Sequence, residues 1–181
     1  MEQTFGYTTA LLARTPAALD ALLRGLPDAW TRANEGDGTW SACDIVGHLI
    51  YCERTDWLPR AKIILEFGDA RPFDPFDRMG HIEDMQGKSL PALLDEFARR
   101  RSENLVELRA LNLQPHDLTR RGSHPSLGQV TLSQLLAAWA AHDLNHLHQL
   151  GRVMARQYRE AVGPWAQYMG AMHCKSHSAP A

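Results

Sequence analysis

The stretch Leu132–Tyr158, LSQLLAAWAAHDLNHLHQLGRVMARQY, decides how this chain folds. It reads as one long helix, capped by Thr131 or Ser133 and stopped by Gly163-Pro164. An α-helix turns about 100° per residue. Measured from His142, His146 then lies about 40° away, Gln149 about −20°, Leu135 and Val153 about 20°, and Trp139 about 60°. These residues share one face, and that face is otherwise apolar. His142 and His146 therefore point inward one turn apart, where side chains at i and i+4 can reach one ion. His148 lies about 240° round and points to the flank or to solvent. Asp143 lies about 100° from its neighbour His142, on the flank of the inward face, which leaves its role open.

Three more helices precede this one. The first spans Thr8–Leu23, with Leu11, Leu12, Leu19, Leu22 and Leu23 near helical spacing, Pro16 as a weak point, and Gly25 and Pro27 as its end. The second opens on Ser41, an N-cap with Asp44 three residues on in the manner of a capping box. It reaches Phe67 with a kink or break at Pro59. The third spans Ser89–Leu111, with Pro91 in its first turn and Leu93, Leu94, Phe97, Leu105 and Leu108 inside. GDARPFDPFDRMG, residues 68–80, is neither helix nor strand, and NLQPHDLTRRGSHPSLGQV, residues 112–130, has room for a short hairpin. PWAQYMG, residues 164–170, reads as a short final helical turn that packs Trp165 and Tyr168 back on the bundle. The fold class is all-α: a four-helix bundle over residues 1–170 as one domain, with 171–181 as a disordered tail.

The composition narrows the function. Net charge is −2 over 181 residues, which lacks the basic face that nucleic acid requires. The run Arg99, Arg100, Arg101 reads as the solvated side of a helix. Cys43, Cys52 and Cys174 are odd in number and do not make a disulfide framework; reduced thiols in a cytoplasm fit them. The N-terminus lacks a signal-peptide pattern, and no apolar run spans a bilayer.

Two inward histidines are a weak metal motif, and a hydrogen-bonded core histidine is the competing reading. A catalytic metal wants three protein ligands and an open position. WSACDIVGHLIYCE, residues 40–53, offers the third in His48, which shares a helix side with Asp44, Ile45, Cys52 and Thr55. An imidazole there needs a polar partner, and bundle helices that face one another commonly supply metal ligands jointly. Cys52 is either a fourth ligand or a small buried residue, and the second reading is favoured. Gln149 either orients a ligand or ends the apolar face, and Trp139 is the preferred pocket wall. His173 and His177 repeat the i, i+4 spacing in the tail, while His81, His116 and His124 fall in loops, where they either line a pocket mouth or, the favoured reading, are structural or solvated.

Trp40-Ser41-x-x-Asp44-x-x-x-His48-Leu49, together with His142-Asp143-x-x-His146-x-x-Gln149, resembles the DinB-like (DinB/YfiT-like) metalloprotein superfamily, as does the run ARQYREAVGPWAQYM that follows. The resemblance implies a four-helix bundle, commonly a homodimer. It implies a divalent transition metal (zinc, nickel, iron or manganese) on His48, His142 and His146. It further implies a metal-dependent transferase or isomerase that joins a low-molecular-weight thiol, such as bacillithiol, mycothiol or glutathione, to a small electrophile. The alternative is a non-catalytic bundle of the stress response that binds a metal or ligand. Nucleic acid and membrane are not expected partners, and the expected location is cytoplasmic.

Overall fold

The computed structural model describes residues 5–174. It is a four-helix bundle whose first two arms are each broken once, for reasons of backbone chemistry. The first arm divides into α1 (Phe5–Leu12) and α2 (Thr15–Leu23) instead of running unbroken over Thr8–Leu23. Pro16 has no N–H to return to the carbonyl of Leu12. That carbonyl instead accepts a bond from Arg101 Nη1 at 2.8 Å, so the break is used by another helix.

A one-turn α3 (Asp28–Thr31) leads to the second arm. Ser41 caps α4 (Ala42–Thr55) with the reciprocal bonds of a capping box: Asp44 Oδ2 accepts from the Ser41 amide at 2.8 Å, and Ser41 Oγ accepts from the Asp44 amide at 3.3 Å. The arm breaks at Asp56, three residues before Pro59, where φ is −110° and ψ is −76°. Pro59 sits in the first turn of α5 (Trp57–Phe67), a position that tolerates its missing N–H.

The loop after α5 leads to α6 (His81–Met85), so His81 opens a helical turn rather than lying in a loop. Ser89 caps α7 (Leu90–Ala110), with Pro91 in its first turn. β1 (Arg121–His124) and β2 (Gly128–Thr131) then form an antiparallel hairpin, which adds a small sheet to the all-α reading. The His124 ring closes its turn: Nδ1 accepts from the amides of Ser126 at 3.1 Å and Leu127 at 3.2 Å. Gly128 completes the reversal at φ +71°, a conformation few other residues adopt. Thr131 ends β2 and caps α8 (Leu132–Arg156) through reciprocal bonds with Gln134.

α4 packs on α7 and α8, α1 and α5 pack on α8, and α2 packs on α7. The core forms two apolar clusters, one around Trp57, Leu108, Leu135 and Trp139, the other around Leu19, Ile45, Leu49, Phe97 and Leu150. Trp165 and Tyr168 do not pack back on the bundle: they are 67% and 75% exposed and lie against each other. Gly163 turns the chain at φ +52° beyond the bundle end, and Tyr158 takes the place against Trp30. Gly170–His173 form a helical turn, α9, where the tail was expected to begin; residues 175–181, His177 among them, lie outside the described residues. Among the described residues no helix is long and apolar enough to cross a membrane.

Candidate metal centre

The packing of α4 on α8 brings His48 to His142 and His146. Nε2 of His142 lies 3.1 Å from Nε2 of His48 and 3.1 Å from Nε2 of His146, and the three ligand atoms all fall within 4.8 Å of one another. Two imidazole nitrogens each about 2.0–2.1 Å from one ion and 3.1 Å apart subtend about 100°. That angle lies between tetrahedral and octahedral, so the spacing would suit one ion held by these rings.

The donor set suits a cation. Burial first, then the neighbouring rings of His146 and His142, hold His48 down to about 2. Burial likewise holds His142 down to about 3, with His146 and Arg101 adding to it, and it lowers His146. All three rings are therefore neutral near neutral pH and present lone pairs rather than charge. Gln149 Oε1 stands 2.8 Å from His146 Nδ1, so the ring donates there and turns its Nε2 lone pair inward. His142 Nδ1 is buried with no hydrogen-bond partner among the described residues.

The triad opens on a cavity of about 1020 Å3 lined by α4, α5, α8, the loop before α6 and the hairpin. Trp40 stands over the rings, its centroid 4.7 Å from His48 and stacked at 6.1 Å on His146, and Trp57 meets His142 edge-on at 5.0 Å. These two tryptophans, not Trp139, wall the site. Trp139 is fully buried behind Trp57, parallel to it at 6.1 Å, and donates Nε1–H to Glu53 Oε1 at 2.9 Å. The reason is local: α5 is a helix of its own after the break at Asp56, and it slides Trp57 between Trp139 and the cavity. Cys52 Sγ lies 3.4 Å from His48 Nε2 but falls outside the group of converging ligand atoms. Burial first, then nearby Asp56 and Glu53, push its thiol well up, so it stays protonated in the core cluster.

A protein-family model described as the DinB superfamily matches residues 11–150. The chain belongs to the DinB superfamily. Among solved structures, this DinB chain shares its fold with YfiT from Bacillus subtilis, described as a probable metal-dependent hydrolase with an unusual four-helix bundle topology. The TM-score is 0.73 at 20% identity, over 87% of this chain and 91% of that one. No curated protein matches the chain.

Behind the triad of this DinB bundle lies a buried charged network, which the reading of Arg99–Arg101 as a solvated face misses. Arg101 is 1% exposed. Its Nη1 donates to Asp143 Oδ2 at 2.6 Å, and its Nη2 donates to Asp143 Oδ1 and Glu53 Oε1, each at 2.9 Å. Thr15 Oγ1 donates to Asp143 Oδ2 at 2.5 Å, and Asn104 Nδ2 donates to Glu53 Oε2 at 3.0 Å. Residues adjacent to His142 and to Cys52 are thus tied to α2 and α7, which fixes α4 and α8 side by side. His81 is also buried, with its ring 4.9 Å from Trp40 and 5.7 Å from His48, so a histidine expected in a loop supports the site from outside.

Two expected results concern these supporting groups. Gln149→Leu should weaken metal binding about 10–100-fold, because His146 loses the partner that fixes its tautomer. A chelator competition titration reads this, and an unchanged affinity would remove Gln149 from the site. Asp56 lines the cavity and pairs with Arg60 Nε at 2.7 Å, yet burial pushes its carboxyl up to about 6 against that attraction. The folded chain therefore holds this proton more tightly than the unfolded chain does. The stability it contributes is full below about pH 4 and is lost as pH rises through about 6, up to about 3 kcal/mol in all. Asp56→Asn should lack this slope in denaturation curves of the metal-free protein; parallel pH profiles for the two proteins would contradict it.

Proposed function

We propose that this protein is a metal-dependent transferase that joins a low-molecular-weight thiol to a small electrophile, with a divalent transition metal on His48, His142 and His146. The observation that carries the reading is the convergence of three neutral Nε2 atoms at the wall of a cavity of about 1020 Å3, large enough for two small reactants. A divalent ion held there supplies a lowered pKa for a bound thiol or water, and so a nucleophile at neutral pH. The chain does the rest. His146, fixed by Gln149, and His48 and His142 keep their lone pairs inward. Trp40 and Trp57 wall one side of the site, and Cys52 lies outside the converging set, so a coordination face would be left for substrate. No residue here needs to form a covalent intermediate. Within this proposal the protein works as a homodimer in the cytoplasm.

Hydrolysis is the second reading: the fold neighbour's description as a probable metal-dependent hydrolase fits the same open face with water in place of thiol. A panel of thiols with electrophiles, run beside a panel of esters and amides, separates the two readings when metal-loaded protein is compared with chelated protein. Metal-dependent thiol consumption is the expected result. Metal-dependent hydrolysis alone would select the second reading, and no turnover in either panel would leave a metal-binding module.

A further inference from the structure

We infer that Arg78 makes the cavity on which the triad opens selective for ligands that carry an anionic group on an apolar body. The inference rests on the proposal that this cavity is the substrate site, and it concerns the charge of the substrate.

Among the described residues, three side chains with full charges line the cavity: Asp56, Arg60 and Arg78. The first two cancel. Arg60 Nε lies 2.7 Å from Asp56 Oδ1 with both side chains almost entirely buried, and the Arg60 guanidinium also spends itself over the Phe73 ring at 5.1 Å and on the Asp74 carbonyl at 3.4 Å. Arg78 is different. It is exposed on the loop before α6 and forms no ion pair among the described residues. Its acidic loop neighbours do not answer it across the cavity: Asp74 and Asp77 do not line it, and Asp77 Oδ1 is taken by the Met79 amide at 2.9 Å. Among the described residues that line the cavity, Arg78 is thus the one charged side chain with no opposite charge bound to it.

Much of the remaining wall is apolar, with Ser126, Gln129, Gln134 and Asn145 adding uncharged polar groups. Phe73, Phe76, Leu127, Val130, Leu135 and Ala138 supply its apolar part, from the loop before α6, the hairpin and α8. A guanidinium at the rim of a low-dielectric wall attracts a carboxylate or similar anion and can hold it by two parallel hydrogen bonds. Arg78 and His48 line the same cavity, so one ligand can meet both. Either the thiol or the electrophile can bring the anion, and the two sources differ experimentally.

The test compares acids with their amides, which match in shape and differ in charge. With metal-free protein, phenylbutyrate and phenylbutyramide are titrated against the fluorescence of Trp40 and Trp57, which line the cavity. The acid should bind roughly tenfold more tightly, the size of one charge-assisted hydrogen bond at a partly exposed site. The preference should vanish in Arg78→Gln, persist in part in Arg78→Lys, and shrink with added salt. An acid that fails to bind, or binds no better than its amide, overturns the inference, as does a preference that survives in Arg78→Gln. Arg78 is exposed, so these variants should melt as the parent does. In the cobalt-loaded protein, mercaptoacetate and mercaptoacetamide are compared by the sulfur-to-cobalt absorption band. An Arg78-dependent preference for mercaptoacetate assigns the anion to the thiol; equal bands beside a preference for phenylbutyrate assign it to the electrophile. No band with either thiol contradicts the thiol reading and leaves the metal-free result standing.

Discussion

Arg101→Met should destabilise the protein by about 3–5 kcal/mol, the range found when one partner of a buried ion pair is removed. The guanidinium is shared by Asp143 and Glu53, and it also holds the Leu12 carbonyl that Pro16 leaves open. Methionine fills the volume and supplies none of these bonds, so two carboxylates stay buried beside apolar neighbours without a counter-charge. Arg99→Met, two residues away, is the control. Its side chain pairs with Glu103 with both partners more than half exposed, and its loss should change stability by less than about 1 kcal/mol. Urea denaturation of the two variants reads the contrast. Similar effects for both would mean that the buried network adds nothing beyond a surface pair.

His142→Leu should act on the metal and leave the fold alone. His142 is the central ligand of the three, 3.1 Å from each of the others through Nε2, and its buried Nδ1 is without a hydrogen-bond partner among the described residues. In the metal-free protein, leucine removes that unsatisfied nitrogen and keeps most of the volume, so stability should change by no more than about 1 kcal/mol. Metal affinity should fall by more than about a hundredfold, beyond what the loss of a supporting residue produces. Added zinc should then no longer raise the melting temperature as it does for the parent, since that rise follows from binding to the folded state. A variant that keeps the zinc-dependent rise would place the ion elsewhere.

What the sequence makes legible follows from periodicity. The inward direction of His142, His146 and Gln149 is a matter of 100° steps on one unbroken helix, and the capping box at Ser41 is a matter of two side chains three residues apart. His48 joins them because α4 packs on α8, which a bundle requires of its helices. The residues that pattern reading misses are those whose environment is set from outside their own helix. Trp57 displaces Trp139 from the wall only because the second arm breaks at Asp56, and a break three residues ahead of a proline is hard to read from the proline alone. Phe73, Phe76 and Arg78 reach the cavity from a loop with no period to follow.

Arg101 is an intermediate case. It stands four residues from Phe97 and from Leu105, and seven from Leu94 and from Leu108, so it fills the gap in the inner stripe of α7. The signal was present, and the two arginines before it concealed it. A charged side chain at a core position implies opposite charges across from it. Glu53, four residues after Leu49, and Asp143, four after Trp139, sit at equally inward positions on the facing helices.

X-ray absorption spectroscopy of the zinc-loaded protein tests the three-imidazole centre most directly. Three histidine nitrogens at about 2.0–2.1 Å with no sulfur neighbour are expected, the remaining scatterers being light atoms of solvent. A sulfur at about 2.3 Å would bring Cys52 into a closed structural shell, and fewer than three imidazoles would show that His48, His142 and His146 do not hold one ion together.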